Sequence, residues 1–91
     1  MNARVRVVLE WEDDKGTTVR EQTFTRVVGP FGCLVVLPQS LCVEQSLRVV
    51  NLTNECANSG RVVWKGNERT EGWELGIELN RPSMEFWGLE L

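Results

Sequence analysis

The sequence predicts an all-β fold: a small six-stranded antiparallel β-barrel with a short C-terminal helical turn. Three observations predict it. Apolar and polar residues alternate with period two in short runs, which is the pattern of a half-buried strand. Turn residues interrupt those runs at regular spacing. No stretch carries a sustained helical period, a repeat or a linker composition. Ninety-one residues make one domain, spanning 1–91, with no room for a second core. A closed barrel removes exposed sheet edges and is the economical solution, with a two-sheet sandwich as its rival.

The elements follow in order. From Arg4 to Trp11, Val5, Val7, Leu9 and Trp11 point one way, and Arg4, Arg6, Val8 and Glu10 the other. Glu12 to Gly16 is a hairpin connection, with Gly16 free to take positive φ. Thr17 to Val28 returns as a strand. Phe24 and Arg26 would share a face there, which predicts a bulge or bend. Gly29-Pro30-Phe31-Gly32 breaks the pattern. Cys33 to Leu37 is a continuous apolar run, suited to a strand buried on both faces, and Pro38-Gln39-Ser40 ends it. Ser46 to Leu52 resumes with Leu47 and Val49 inward, and Asn51 to Asn54 turns the chain. Cys56 to Lys65 and Trp73 to Leu79 form the last pair, with Lys65 to Gly72 as a polar connection. Leu75, Ile77 and Leu79 share its inner face, Glu74 and Glu78 its outer one. Met84 to Leu91 closes the chain as a helical turn or two.

Composition narrows the function. Hydrophobic content of 42%, with four Trp and three Phe, is enough to close a compact core. The formal charge is −3 and the ten basic residues are scattered, so neither nucleic acid nor an anionic membrane is an expected partner. No apolar run approaches the roughly 20 residues that span a bilayer. Charges interrupt the N-terminal residues, so no secretory signal is expected there. Cys33, Cys42 and Cys56 are odd in number and form no CxxC pair, which points to free thiols and a cytoplasmic address. They read as small buried hydrophobes, and no metal or cofactor is expected. Asn51-Leu52-Thr53 matches a glycosylation sequon, a short pattern that carries no weight by itself. The chain has no His and no Tyr. A Ser/His or Cys/His nucleophile therefore cannot be assembled. Carboxylate pairs such as Asp13 with Asp14 or Glu10 with Glu12 lie at a turn, where they read as solvated groups. No catalytic residue is assigned, and the expectation is a protein that is not an enzyme.

The order RVRVVLEW, FGCLVVL after a glycine turn, SLRVVNLTN, GRVVWKG, ELGIEL and a closing FW resembles the PilZ family over nearly the whole chain. The resemblance implies a six-stranded barrel that in bacteria often serves as a receptor for cyclic di-GMP. The family's ligand site uses an R-x-x-x-R pair ahead of the first strand, because a guanidinium offers a rigid donor fork to phosphate or a guanine edge. Here Arg4 corresponds to the second arginine, and the first would lie ahead of Met1. Either the chain is a fragment that starts inside the motif, or this protein never had it. Arg6 is a poor substitute, since its spacing gives a different reach. The second motif is D/N-x-S-x-x-G. With its glycine on Gly32, the serine position holds Gly29 and the acidic or amide position holds Val27. Each lost charge-assisted hydrogen bond is worth about 1.5–3 kcal/mol, so the resemblance implies a degenerate site with weak or lost affinity.

Each candidate has a functional and a plain reading. Arg4 and Arg6 are remnants of a phosphate-binding arm or the solvated face of a strand. Arg26, close to Gly29, compensates for missing arginines or pairs with a neighbour such as Glu21. Phe86 and Trp87 anchor a partner or plug one end of the barrel. Trp64 and Trp73 stack across the last hairpin or meet a ligand. The expected function is a non-catalytic regulatory module that binds another protein or domain. The alternative is a cyclic di-GMP receptor with a non-standard arginine set.

Overall fold

The computed structural model describes residues 1–88, and it is a closed antiparallel barrel. Its strands are β1 (Arg6–Glu12), β2 (Thr18–Gly29), β3 (Gly32–Leu37), β4 (Ser46–Asn51), β5 (Cys56–Arg69) and β6 (Gly72–Leu79). They close in the order β1-β2-β3-β6-β5-β4, with β1 pairing to both β2 and β4. The predicted barrel is the observed one.

The alternation within each strand fills the interior. Val5 just ahead of β1 is buried, as are Val7, Leu9 and Trp11 along it, Leu47 and Val49 on β4 and Leu75, Ile77 and Leu79 on β6. β3 is the apolar run expected to be covered on both faces, and Val35, Val36 and Leu37 are buried in succession. Val8 departs from the alternation: it points away from the interior yet is also buried. On the outer face Glu10 lies directly opposite Arg20 on β2 and Arg48 on β4, and it pairs with both, at 2.7 and 3.3 Å. The β1–β2 connection is an Asx turn in which Asp13 Oδ1 accepts from Lys15 N and Thr17 N, both at 2.9 Å. Gly16 takes φ +77° there.

The predicted bulge in β2 falls at Arg26, where the β2–β3 register shifts between Thr25 and Val27. Phe24 and Arg26 do share the outer face. The bulge also leaves Arg26 and Val27 both exposed, between the buried Thr25 and Val28.

Three expectations need correction. The polar stretch Lys65–Gly72 is not a loop: β5 runs on to Arg69, and the hairpin turns only at Thr70-Glu71. Polar residues are tolerated because this arm extends beyond the last β4 partner of β5, Arg61, so it has less to bury. Trp64 and Trp73 do not face one another. Register shifts place Trp64 opposite Gly76 and Trp73 opposite Glu68, and the Lys65 ammonium covers the Trp73 ring at 4.5 Å. Finally, only Cys33 is buried, while Cys42 and Cys56 are exposed.

The C-terminal turn is a single 3-10 turn at Glu85–Trp87, ended by Gly88 in the left-handed region. The part of the expected helical segment at 89–91 lies outside the described residues. Phe86 and Trp87 meet edge to face, with centroids 4.9 Å apart, and both belong to the buried core. Asn51 holds this tail. It is fully buried, donates through Nδ2 to Phe86 O at 2.9 Å, and accepts from Thr53 N. The acceptor nitrogen of the sequon is therefore sealed inside the fold.

Candidate functional site

The sequence brings forward Arg4, Arg6, Arg26, Gly29 and Gly32 as ligand residues, and the fold divides them. Arg4 and Arg26 line one recess of about 560 Å³ on the outer face of β2, together with Phe24, Val36, Pro38 and Glu71 among others. Arg6, Gly29 and Gly32 do not line it.

The recess is built by the segment ahead of β1. Met1 exchanges backbone hydrogen bonds with Val28, Asn2 bridges to Val27, and Ala3 N donates to Arg26 O. Thr25 fixes the segment where the bulge would otherwise loosen it. Its fully buried hydroxyl donates to Ala3 O at 2.8 Å and accepts from Val5 N at 2.9 Å. The residue between those two contacts is Arg4, whose side chain is thereby directed outward. Its guanidinium carbon lies 4.1 Å from the centroid of the Phe24 ring. A cation held over an aromatic face keeps its in-plane donors free for an incoming acceptor.

Arg26 reaches the recess from the outer face of β2, which it shares with Phe24 two residues earlier. It does not pair with Glu21. Its nearest carboxylate is Glu71, at the tip of the β5–β6 hairpin, with Nη2 and Oε2 3.8 Å apart and both side chains more than half exposed. An exposed pair at that length contributes little, on the order of 0–1 kcal/mol. Among the described residues Arg4 has no carboxylate partner. The arrangement therefore presents two cations, one over an apolar ring and one loosely engaged, to whatever enters.

The Gly29–Gly32 turn has a different occupation. Gly29 O accepts from the Trp87 indole Nε1 at 2.9 Å, Pro30 O from Ser83 N at 2.7 Å, and Phe31 O from Leu79 N at 2.7 Å. All of these carbonyls are bound by β6 and the tail that follows it. Gly32 is required by packing and not by dihedral freedom, since its φ is not positive. A Cβ there would lie 1.8 Å from Ile77 O on β6. At Gly29 a Cβ would meet nothing within 4 Å.

Phe86 and Trp87 are 6% and 2% exposed, so in this structure they are the barrel plug and offer no surface to a partner. Exposed apolar surface lies elsewhere, with Val43, Val63 and Trp64 near the base of the β5–β6 arm and Phe31 at the β2–β3 turn. Burial pushes the Cys33 thiol up to about 12, which makes it an inert core group. Among the described residues no group of three or more His, Cys, Asp or Glu comes close enough to hold a metal ion. No helix there is long and apolar enough to cross a membrane.

Sequence reasoning missed Phe24, Thr25 and Glu71 as parts of this recess. The imperfect alternation at Phe24 and Arg26 was a usable signal for the first two. Nothing local marked Glu71, because its approach depends on the length of the β5–β6 arm. Comparison with protein-family models, with curated proteins and with solved structures gives no match.

Proposed function

We propose that this chain is a non-catalytic, cytoplasmic PilZ-like module that regulates by binding another protein, with weak or lost affinity for cyclic di-GMP. The observation that carries the reading is the occupation of the Gly29–Gly32 turn. In the resemblance this turn would grip the nucleotide, yet its carbonyls are taken by Leu79, Ser83 and Trp87. Its polar determinants are replaced by Val27 and Gly29. Gly29 and Gly32 do not line the recess that holds Arg4 and Arg26, so the two halves of a ligand grip lie apart. What such a barrel has left to offer is its outer surface.

One observation favours the second reading, a cyclic di-GMP receptor with a non-standard arginine set. Arg4 and Arg26 do share a recess, and the Phe24 ring, under the Arg4 guanidinium, lines it as well. Calorimetric titration with cyclic di-GMP up to high micromolar concentration separates the two. The first reading expects no saturable heat. A sub-micromolar constant that is lost in Arg4→Ala or Arg26→Ala would overturn it.

A further inference from the structure

We propose that the Arg4–Arg26 recess docks a short acidic segment of a protein partner, and that Glu71 is the internal carboxylate which that segment displaces. The inference rests on the interaction-module reading and gives it a surface and a partner chemistry.

The structure already contains a carboxylate in position. The tip of the β5–β6 hairpin brings Glu71 to the rim of the recess, where it meets Arg26 at 3.8 Å. That distance is too long for a good charge-assisted hydrogen bond, which falls at about 2.7–2.9 Å. Glu71 therefore marks the direction from which an acid approaches without satisfying the guanidinium. Arg4 offers a second, carboxylate-free site beside it among the described residues. Phe24, Val36 and Pro38 line the same recess and give it apolar surface for a side chain placed between two acids. The chain as a whole is acidic, with a net charge of −3, so a long polyanion would be repelled outside the recess while a short segment would not.

Displacement makes Glu71 a built-in competitor. A partner carboxylate has to replace a weak contact only, at little cost, while a partner without acids leaves Glu71 in place. Arg4 and Arg26 thus select for acids, and Glu71 sets the threshold.

The test uses the ¹⁵N-labelled chain titrated with an end-blocked octapeptide of alternating glutamate and leucine, followed by amide chemical shifts. A lysine–leucine peptide and cyclic di-GMP serve as the other arms. The expected result is saturable movement of the amides of Asn2 to Arg4, Gln22 to Arg26 and Glu71, weakening as salt is added. Arg4→Ala and Arg26→Ala should each weaken binding about fivefold, the scale of an exposed ion pair near 1 kcal/mol. Glu71→Gln should tighten it about twofold, by removing the competitor. All three side chains are exposed, so the variants keep the core intact. Equal shifts from the lysine–leucine peptide, or affinities unchanged in both alanine variants, would overturn the proposal. If cyclic di-GMP moves these amides and the acidic peptide does not, the occupant is the nucleotide, and the interaction-module reading falls as well. If neither moves them, the recess inference falls alone, because the exposed apolar side chains of Val43, Val63 and Trp64 lie outside the recess and leave the interaction-module reading open to test there.

Discussion

Two hairpins of this barrel are built alike and end differently. The β2–β3 hairpin closes through Pro30-Phe31 between paired Gly29 and Gly32, and the β5–β6 hairpin through Thr70-Glu71 between paired Arg69 and Gly72. The β3–β6 ladder runs between the two turns, with a glycine pressed on backbone at each end. A Cβ on Gly32 would lie 1.8 Å from Ile77 O, and one on Gly72, at φ +139°, would lie 2.1 Å from Leu37 O. Beyond those glycines the symmetry stops. The first turn is bound from outside by Leu79, Ser83 and Trp87, whereas among the described residues the side chains of the second make one loose ion pair, Arg26 to Glu71. A two-residue turn is thus a structural clasp where a chain passes over it and an accessible arm where none does.

The sharpest way to break the contrast is to remove the clasp. Trp87→Ala deletes a ring that fills the barrel end and donates to Gly29 O, and it should cost about 3–5 kcal/mol in urea unfolding. A loss below 1 kcal/mol would mean that the tail is not part of the folded core. Gly32→Ala comes next, at about 3 kcal/mol, because the added methyl must part β3 from β6. Its control is Gly29→Ala on the same turn, with open space around it, which should stay within about 0.5 kcal/mol. If the two glycines behave alike, the packing account of Gly32 is wrong.

Thr25→Val removes the clamp on both sides of Arg4. It leaves Ala3 O and Val5 N without that hydroxyl, at a cost of about 1–3 kcal/mol. Amide exchange at Ala3 and Val5 should accelerate as the segment loosens. Unchanged exchange would show that the backbone bonds to β2 hold the segment unaided.

Cys33 sharpens the comparison through pH. Burial raises its folded-state value to about 12, whereas an unfolded thiol titrates near 8.5. The folded state therefore keeps its proton where the unfolded state loses it. The stabilisation is complete below about pH 8.5 and is lost between there and about 12, with a slope of about 1.4 kcal/mol per pH unit. Cys33→Ala should flatten that alkaline decline in an unfolding series from pH 8 to 10. In the native protein a thiol reagent read by mass should label Cys42 and Cys56 and spare Cys33.

The smallest effect belongs to the free arm. Trp64 is 49% exposed and lies over Gly66 and Gly76, so Trp64→Ala should cost no more than about 1 kcal/mol. A loss comparable to that of Trp87→Ala would make the arm as structural as the clasp.

Much of this was legible in the residues themselves. Period-two alternation placed Val5, Val7, Leu9 and Trp11, and later Leu75, Ile77 and Leu79, on the inner face, and each is buried. The conflict between Phe24 and Arg26 announced the bulge that the β2–β3 register contains. The polar stretch at Lys65–Gly72 misled, because polarity reports exposure, and a protruding β-arm is as exposed as a loop. Of the candidate site, the pairing of Arg4 with Arg26 required knowing that the first five residues lie along the far half of β2.

The sequence by itself determined the class of fold, the inward face of its strands and the lack of any histidine-based chemistry. Each follows from local periodicity or from residue inventory. Only the tertiary structure decided that Gly32 answers to Ile77, that Phe86 and Trp87 plug the barrel, and that Glu71 stands at Arg26. Those relations join residues far apart in the chain. Ring closure, ladder register and arm length fix them together, and no local pattern encodes such a sum.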